Sequence, residues 1–152
     1  MSLEIEHKYL VTDDSYKKLA AKKVHIMQGY ISREKERTVR IRVKDSKAYI
    51  TIKTKNIGDT RNEFEYEIPK SDALKLLKIC NPPVIEKYRY IVEFKGFTWE
   101  VDEFQGELCG IVIAEIELPT SDTVYETPPF IGKNVTGMPE YYNSNIHLLA
   151  KK

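Results

Sequence analysis

The sequence predicts a mainly β fold of the α+β class: an eight-stranded antiparallel β-barrel that encloses a tunnel, with a few flanking helices. Three observations carry that expectation. Polar and apolar residues alternate with period two through about eight segments, the polar face of nearly every segment is made of charged residues, and each face keeps mostly one sign. Side chains of a strand point alternately to its two faces, so the charged residues share one side of the sheet and the apolar residues the other. Like charges side by side repel, which is costly unless the groups converge on a ligand. A closed barrel removes exposed edges and gives such groups a common lumen. An open sandwich with its charged face in solvent is the alternative.

Each element follows from local pattern. Leu3 to Val11 alternates as a first strand carrying Glu4, Glu6 and Lys8 on one face, and Asp13 is placed to cap a helix over Asp14 to Lys23. Val24 to Ser32 is a second strand, with Gln28, Tyr30 and Ser32 on one face. Thr38 to Lys44 and Lys47 to Lys55 make a hairpin through Asp45-Ser46, presenting Arg40 and Arg42 on one arm and Thr51, Lys53 and Lys55 on the other. After the loop Asn56 to Thr60, the strand Arg61 to Ile68 presents Glu63, Glu65 and Glu67. Pro69 ends it, Ser71 caps a helix over Asp72 to Ile79, and Asn81-Pro82-Pro83 stops that helix. Val84 to Phe94, bearing Lys87 and Arg89, joins Phe97 to Phe104, bearing Glu100 and Asp102, through Lys95-Gly96. Gly106 to Gly110 turns into Ile111 to Leu118, with Glu115 and Glu117. Beyond Pro119 the alternation dissolves until a short helical stretch near Asn145 to Lys151.

The apolar faces, such as Val39, Ile41 and Val43 or Trp99 and Val101, are then expected on the barrel exterior. So few helices cannot cover them alone, so the helices, the Pro-rich tail and a second copy in a homodimer are expected to share the task.

Bulk properties narrow the function. A chain of 152 residues, 41% hydrophobic, suits one domain over residues 1–152 with an ordinary core. Lys plus Arg (24) nearly cancels Asp plus Glu (23), which argues against nucleic acid or a membrane surface as partner. Glutamates stand where a leader would be basic and then apolar, so a cytoplasmic location is expected. Cys80 and Cys109 lack metal-ligand spacing and read as buried free thiols. His7, His25 and His147 show no ligand spacing, and no phosphate-cradling Gly-rich loop occurs. Strands rich in carboxylate beside strands rich in Arg and Lys describe a site for a metal-chelated polyphosphate.

An ordered set of motifs spans the chain from Glu4 to about Asn145. It comprises Glu4-x-Glu6-x-Lys8, Gln28-Gly29-Tyr30, Arg40-Ile41-Arg42, Thr51-Ile52-Lys53, Arg61-x-Glu63-x-Glu65-x-Glu67, Lys87-x-Arg89, Trp99-x-x-Asp102 and Ala114-Glu115-Ile116-Glu117. This set resembles the CYTH family, the triphosphate tunnel metalloenzymes. The resemblance implies an eight-stranded tunnel that hydrolyses or cyclises a triphosphate with a divalent metal, and it points to the compact bacterial members that cleave inorganic tripolyphosphate. Nucleoside or thiamine triphosphatases and class IV adenylyl cyclases are the enzyme alternatives, and a non-catalytic polyphosphate-binding module is the alternative of another class. One departure lies in the tail, where relatives often carry an acidic residue and this chain has Met138 before Tyr141-x-Asn143.

Within that frame, Mg²⁺ or Mn²⁺ favours oxygen ligands, which assigns Glu4, Glu6, Glu115 and Glu117 to the metal. Glu63, Glu65, Glu100 and Asp102 either support a second metal or orient the cations. Arg presents a planar fork and Lys a point charge to phosphate, so Lys8, Arg40, Arg42, Lys53, Arg61, Lys87 and Arg89 form the cradle. Lys44 and Lys55 are expected as rim charges. Tyr30, Lys8 and Lys87 are the candidate catalytic groups, Tyr30 either as proton acceptor or as a hydrogen-bond donor to the terminal phosphate.

Overall fold

The computed structural model describes residues 2–150, the Ser2 side chain excepted. Its strands are β1 (Ser2–Val11), β2 (Lys22–Glu34), β3 (Arg37–Lys44), β4 (Lys47–Thr54), β5 (Thr60–Ile68), β6 (Asn81–Phe94), β7 (Phe97–Phe104), β8 (Val112–Glu117) and β9 (Ile131–Asn134). The first eight close into an antiparallel barrel in the order β1-β5-β4-β3-β2-β6-β7-β8 and back to β1. β1 makes the seam: Ser2 to Ile5 pair with β5, and Glu6 to Leu10 pair with β8. β9 extends the sheet beside the far end of β1. Asp45 and the pair Lys95 and Gly96 adopt positive φ, as the tight turns of these two hairpins require. Among the described residues, no helix is long and apolar enough to cross a membrane.

The apolar faces lie outside, as expected, and three elements cover much of them. Helix α2 (Lys70–Ile79) lays Ala73 and Leu77 on Ile41, Val43 and Ala48. It can lie flush because β2 has Gly29 there: a Cβ at that position would come within 2.9 Å of the Cys80 Cβ. The short helix α1 (Tyr16–Leu19) and the tail bring Tyr16 and Phe130 against Tyr90, Trp99, Val101 and Ile116. Tyr125 adds its ring 5.7 Å from that of Trp99. Leu3 and Tyr66 stay about 60% exposed on the seam side.

The interior departs from the expectation of a continuous charged tunnel. Leu10, Ile85, Phe104 and Ile113 keep the inward phase of Lys8, Lys87, Asp102 and Glu115, two residues away on each strand. They pack with Leu108 and Ile146 into a buried cluster. One end of the barrel is thus filled with hydrocarbon on the side of β6, β7, β8 and β1, and the charged chamber sits above it. β2 also lines the interior with neutral residues, because Val24 and Ile26 stand opposite Arg89 and Lys87.

Several local expectations are corrected. The helix over Asp14 to Lys23 shrinks to one turn, because Lys22 onward is taken into pairing with β6, and Asp13 caps only the turn through the Ser15 amide at 2.9 Å. α2 begins at Lys70, with Pro69 rather than Ser71 at its N-cap. Asn81-Pro82-Pro83 does not merely stop the helix. It opens β6, where Tyr30 pairs with Asn81 beyond a register shift. A bulge between Tyr30 and Ser32 turns Ser32 to the outer phase opposite Val39, so Tyr30 and Ser32 do not share a face. The C-terminal helix is a 3₁₀ turn over Ile146–Leu149, and its expected end at Lys151 lies outside the described residues. Cys80 is buried, but Cys109 is exposed at the end of the 3₁₀ turn Gly106–Leu108.

Candidate active site

Inward-pointing residues of seven strands surround a chamber of about 170 Å³. Its walls are Arg40, Arg42 and Lys44 from β3, Lys53 from β4, Glu63 and Glu65 from β5, Arg89 from β6 and Glu100 from β7, closed by Glu115 and Glu117 from β8 and by Glu4 and Glu6 from β1. Asn143, from the tail, is the one uncharged side chain in that wall. Most of the expected site residues therefore converge. Tyr30 and Arg61 join Arg40 and Lys53 around an adjoining recess, and Lys8 lines another with Glu6 and Arg61. Lys87 and Asp102 do not reach a cavity: both are almost completely buried behind the wall.

The charges interleave. Lys53 Nζ donates to Glu4 at 2.9 Å and lies 3.3 Å from Glu63, and Arg61 Nε donates to Glu4 at 3.0 Å. Arg40 lies 3.6 Å from Glu65. Arg89 forks onto Asp102 at 2.7 and 2.9 Å and reaches Glu100 at 3.2 Å, while Lys87 lies 2.6 Å from Asp102. Lys8 lies 3.4 Å from Glu115. Glu63, Glu65, Glu100 and Asp102 are each set against a cation, the arrangement that orients it. Burial alone would neutralise such groups, but these pairs outweigh it for three carboxyls. Burial opposes ionisation of Glu4, Glu115 and Asp102, yet Lys53 with Arg61, Lys8, and Arg89 with Lys87 respectively hold them below the usual carboxylate range.

Other groups shift the opposite way. Burial and the neighbouring carboxylates Glu115 and Glu4 push Glu6 up to about 8. Glu117 is raised by burial and by Glu4 and Glu100. These two stand directly opposite each other across β1 and β8, a like-charge pair that repels when both ionise. Burial lowers Lys87 to about 7, with Asp102 opposing and Arg89 and Arg42 assisting. Arg42 falls to about 9 through burial and through Arg40 and Arg89.

The donor chemistry fits a hard divalent cation at Glu6, Glu115 and Glu117: Glu6 and Glu117 stand opposite each other with no ion-pair partner among the described residues, and Glu115 is held ionised by Lys8. Glu4 is less free, because Lys53 and Arg61 already occupy it. Among the described residues, no three His, Cys, Asp or Glu side chains already stand at ligand distance. Magnesium accommodates that, since it keeps several waters and needs only one or two carboxylates.

Gln28 and Asn143, which have no role in the sequence expectations, both belong to the site. Gln28 Oε1 accepts from Arg42 Nε at 2.9 Å and Nη2 at 2.6 Å, fixing that guanidinium from within. An uncharged polar residue in phase with Tyr30 was the available signal. Asn143 Oδ1 accepts from Lys87 Nζ at 3.4 Å, and the Tyr141 carbonyl accepts from Lys8 Nζ at 3.0 Å, so the tail closes over the chamber by way of two lysines. No periodicity in the tail foretells that.

The family model for the CYTH domain matches residues 2–147. The chain belongs to the CYTH domain family. An inorganic triphosphatase of Acetivibrio thermocellus is 52% identical over 147 residues, covering 96% of this chain and 94% of that one. An inorganic triphosphatase of Nitrosomonas europaea is 29% identical, covering 95% and 97%. The crystal structure of the inorganic triphosphatase NE1496 superposes with a TM-score of 0.68 at 26% identity, over 97% of this CYTH chain and 96% of that one.

Proposed function

We propose that this CYTH protein is a divalent-metal-dependent inorganic triphosphatase that splits tripolyphosphate into pyrophosphate and orthophosphate with Mg²⁺ or Mn²⁺. The carrying observation is the chamber itself, a wall of cations and carboxylates broken by one amide. Such a wall suits a small polyanion with its metal and offers no aromatic face for a base or thiamine ring.

Arg40, Arg42, Lys53 and Arg89 bind the phosphate oxygens, with Lys8 and Arg61 at the adjoining recesses. Asp102 and Gln28 act one step back, holding the Arg89 and Arg42 forks in place. Lys87 belongs to this supporting layer. Glu6, Glu115 and Glu117 would hold the metal, with Glu4 at the edge of the set. Bound there, the metal would neutralise phosphate charge and lower the pKa of a water. Hydrolysis adds the oxygen of one water to the terminal phosphorus as the bridging P–O bond breaks; one proton of that water is released to solvent, the other stays on orthophosphate, and pyrophosphate leaves with its new charge facing the Arg and Lys wall. Tyr30, between Arg40 and Lys53 in the recess, donates a hydrogen bond to the terminal phosphate.

Metal-stripped protein incubated with tripolyphosphate, ATP, thiamine triphosphate or pyrophosphate, with and without Mg²⁺ or Mn²⁺, tests this. Fast metal-dependent release of orthophosphate from tripolyphosphate is expected, with the other substrates slower. Cyclic AMP from ATP, or tight anion binding without turnover, would replace the reading.

A further inference from the structure

A second cavity, of about 190 Å³, lies on the other side of the tail segment that closes the chamber. Arg33, Lys35, Lys55 and Arg61 line it, and none of its lining residues is a carboxylate. Tyr142 and Ser144 of the tail, with Thr38 and Arg61, line both this cavity and the recess that holds Tyr30, so these four residues stand between them.

The contrast with the chamber is electrostatic. Each chamber cation other than Lys44 and Arg42 has a carboxylate within 4 Å. Among the described residues, Arg33, Lys35 and Lys55 have no ion-pair partner, and Glu34, their neighbour in sequence, is paired with Arg37 at 3.1 Å. Arg33 is held in place from two sides. Its guanidinium lies 5.5 Å from the centre of the Tyr30 ring, and its Nη atoms donate long bonds to the Pro82 and Pro83 carbonyls at 3.4 and 3.3 Å. Its Nε is buried with no hydrogen-bond partner. A fixed guanidinium beside two exposed ammonium groups in a pocket without carboxylates is a recognition set for a phosphate-type oxoanion.

We propose that Arg33, Lys35, Lys55 and Arg61 form a rear oxoanion site that binds inorganic orthophosphate behind the tail segment. Only the identification of that anion as the enzyme's own product rests on the triphosphatase reading. The site then collects orthophosphate as it passes Tyr142 and Ser144, while pyrophosphate leaves by the chamber mouth.

Backbone amide NMR of the metal-free protein, titrated with inorganic phosphate in the presence of chelator, resolves this site from the chamber. The amides of Asn56 and Asn145, which line the rear cavity and neither the chamber nor the Tyr30 recess, are expected to shift and saturate. Lys35→Gln combined with Lys55→Gln, both on exposed side chains, weakens that titration roughly tenfold while amides of the chamber strands titrate as before. Arg33→Gln, checked for an unchanged melting temperature, gives the same result. Rear amides that do not move, or that titrate alike in wild type and the double variant, overturn the proposal. Neither result depends on turnover, so loss of this site and loss of the triphosphatase reading remain distinguishable.

Discussion

On β6, β7, β8 and β1 the two halves of the barrel interior share strands and phase, yet one is charged and the other dry. Along β1 the inward residues run Glu4, Glu6, Lys8 and then Leu10. Along β6 they run Arg89, Lys87 and then Ile85, and along β7 and β8 Asp102 gives way to Phe104 and Glu115 to Ile113. The change occurs at one level on four neighbouring strands. Below it, packing holds the barrel closed; above it, ion pairs hold the chamber open. Lys87 marks the boundary, with its ammonium on Asp102 and 5.2 Å from the Phe104 ring. Stability and chemistry are therefore assigned to different levels of one structure.

The sharpest way to break that division is Phe104→Ala, which removes the largest plug side chain and is expected to cost about 3–5 kcal/mol. Urea unfolding measures it, and a loss below about 1 kcal/mol would mean that the dry half is not what closes the barrel. The complementary change, Glu117→Gln, keeps the shape and removes a charge from the chamber at an exposed carboxylate raised by its like-charged neighbours. It should lower metal-dependent turnover about 100-fold, near 2.7 kcal/mol of barrier, while leaving the urea midpoint almost unmoved. Comparable losses in both assays for both variants would erase the distinction between the halves.

The most gradual effect is in pH dependence. Folding raises Glu6 from 4.5 to about 8, so the folded chain binds this proton more tightly than the unfolded one. Its stabilising contribution is complete below pH 4.5 and is lost as pH rises through about 8. Metal-free protein should therefore melt at progressively lower temperature across that window, by at most about 1.4 kcal/mol of stability per pH unit from this group. Glu6→Gln should flatten the slope. An unchanged slope would place the titrating group elsewhere in the chamber.

The charged half was legible because its signal is local: Glu4 with Glu6, Arg40 with Arg42, and Glu115 with Glu117 each announce a shared face two residues apart. The dry half was not. Leu10, Ile85, Phe104 and Ile113 each look like the apolar end of a strand, and only the pairing of four strands puts them at one level inside. β9 was missed for a similar reason, since four residues containing Gly132 and Lys133 show no alternation and are strand only because β1 offers an edge. The tail's closure through Asn143 depends on Lys87, 56 residues away, and no pattern within the tail encodes it.

The alternation of β1 to β8 also has a genetic consequence. The barrel wall is a single residue thick, with the chamber on one surface and the hydrophobic coat on the other, so reading frame within a strand is a two-sided commitment. Inserting one residue in mid-β6 would send Arg89 to the coat and Tyr90 to the chamber on everything downstream, damaging both at once. An insertion at Lys95-Gly96, where the chain turns in solvent, disturbs neither. Change in length is therefore confined to the hairpin ends, and the bulge beside Tyr30 is the one place on β2 where the chain already carries an extra residue and survives it.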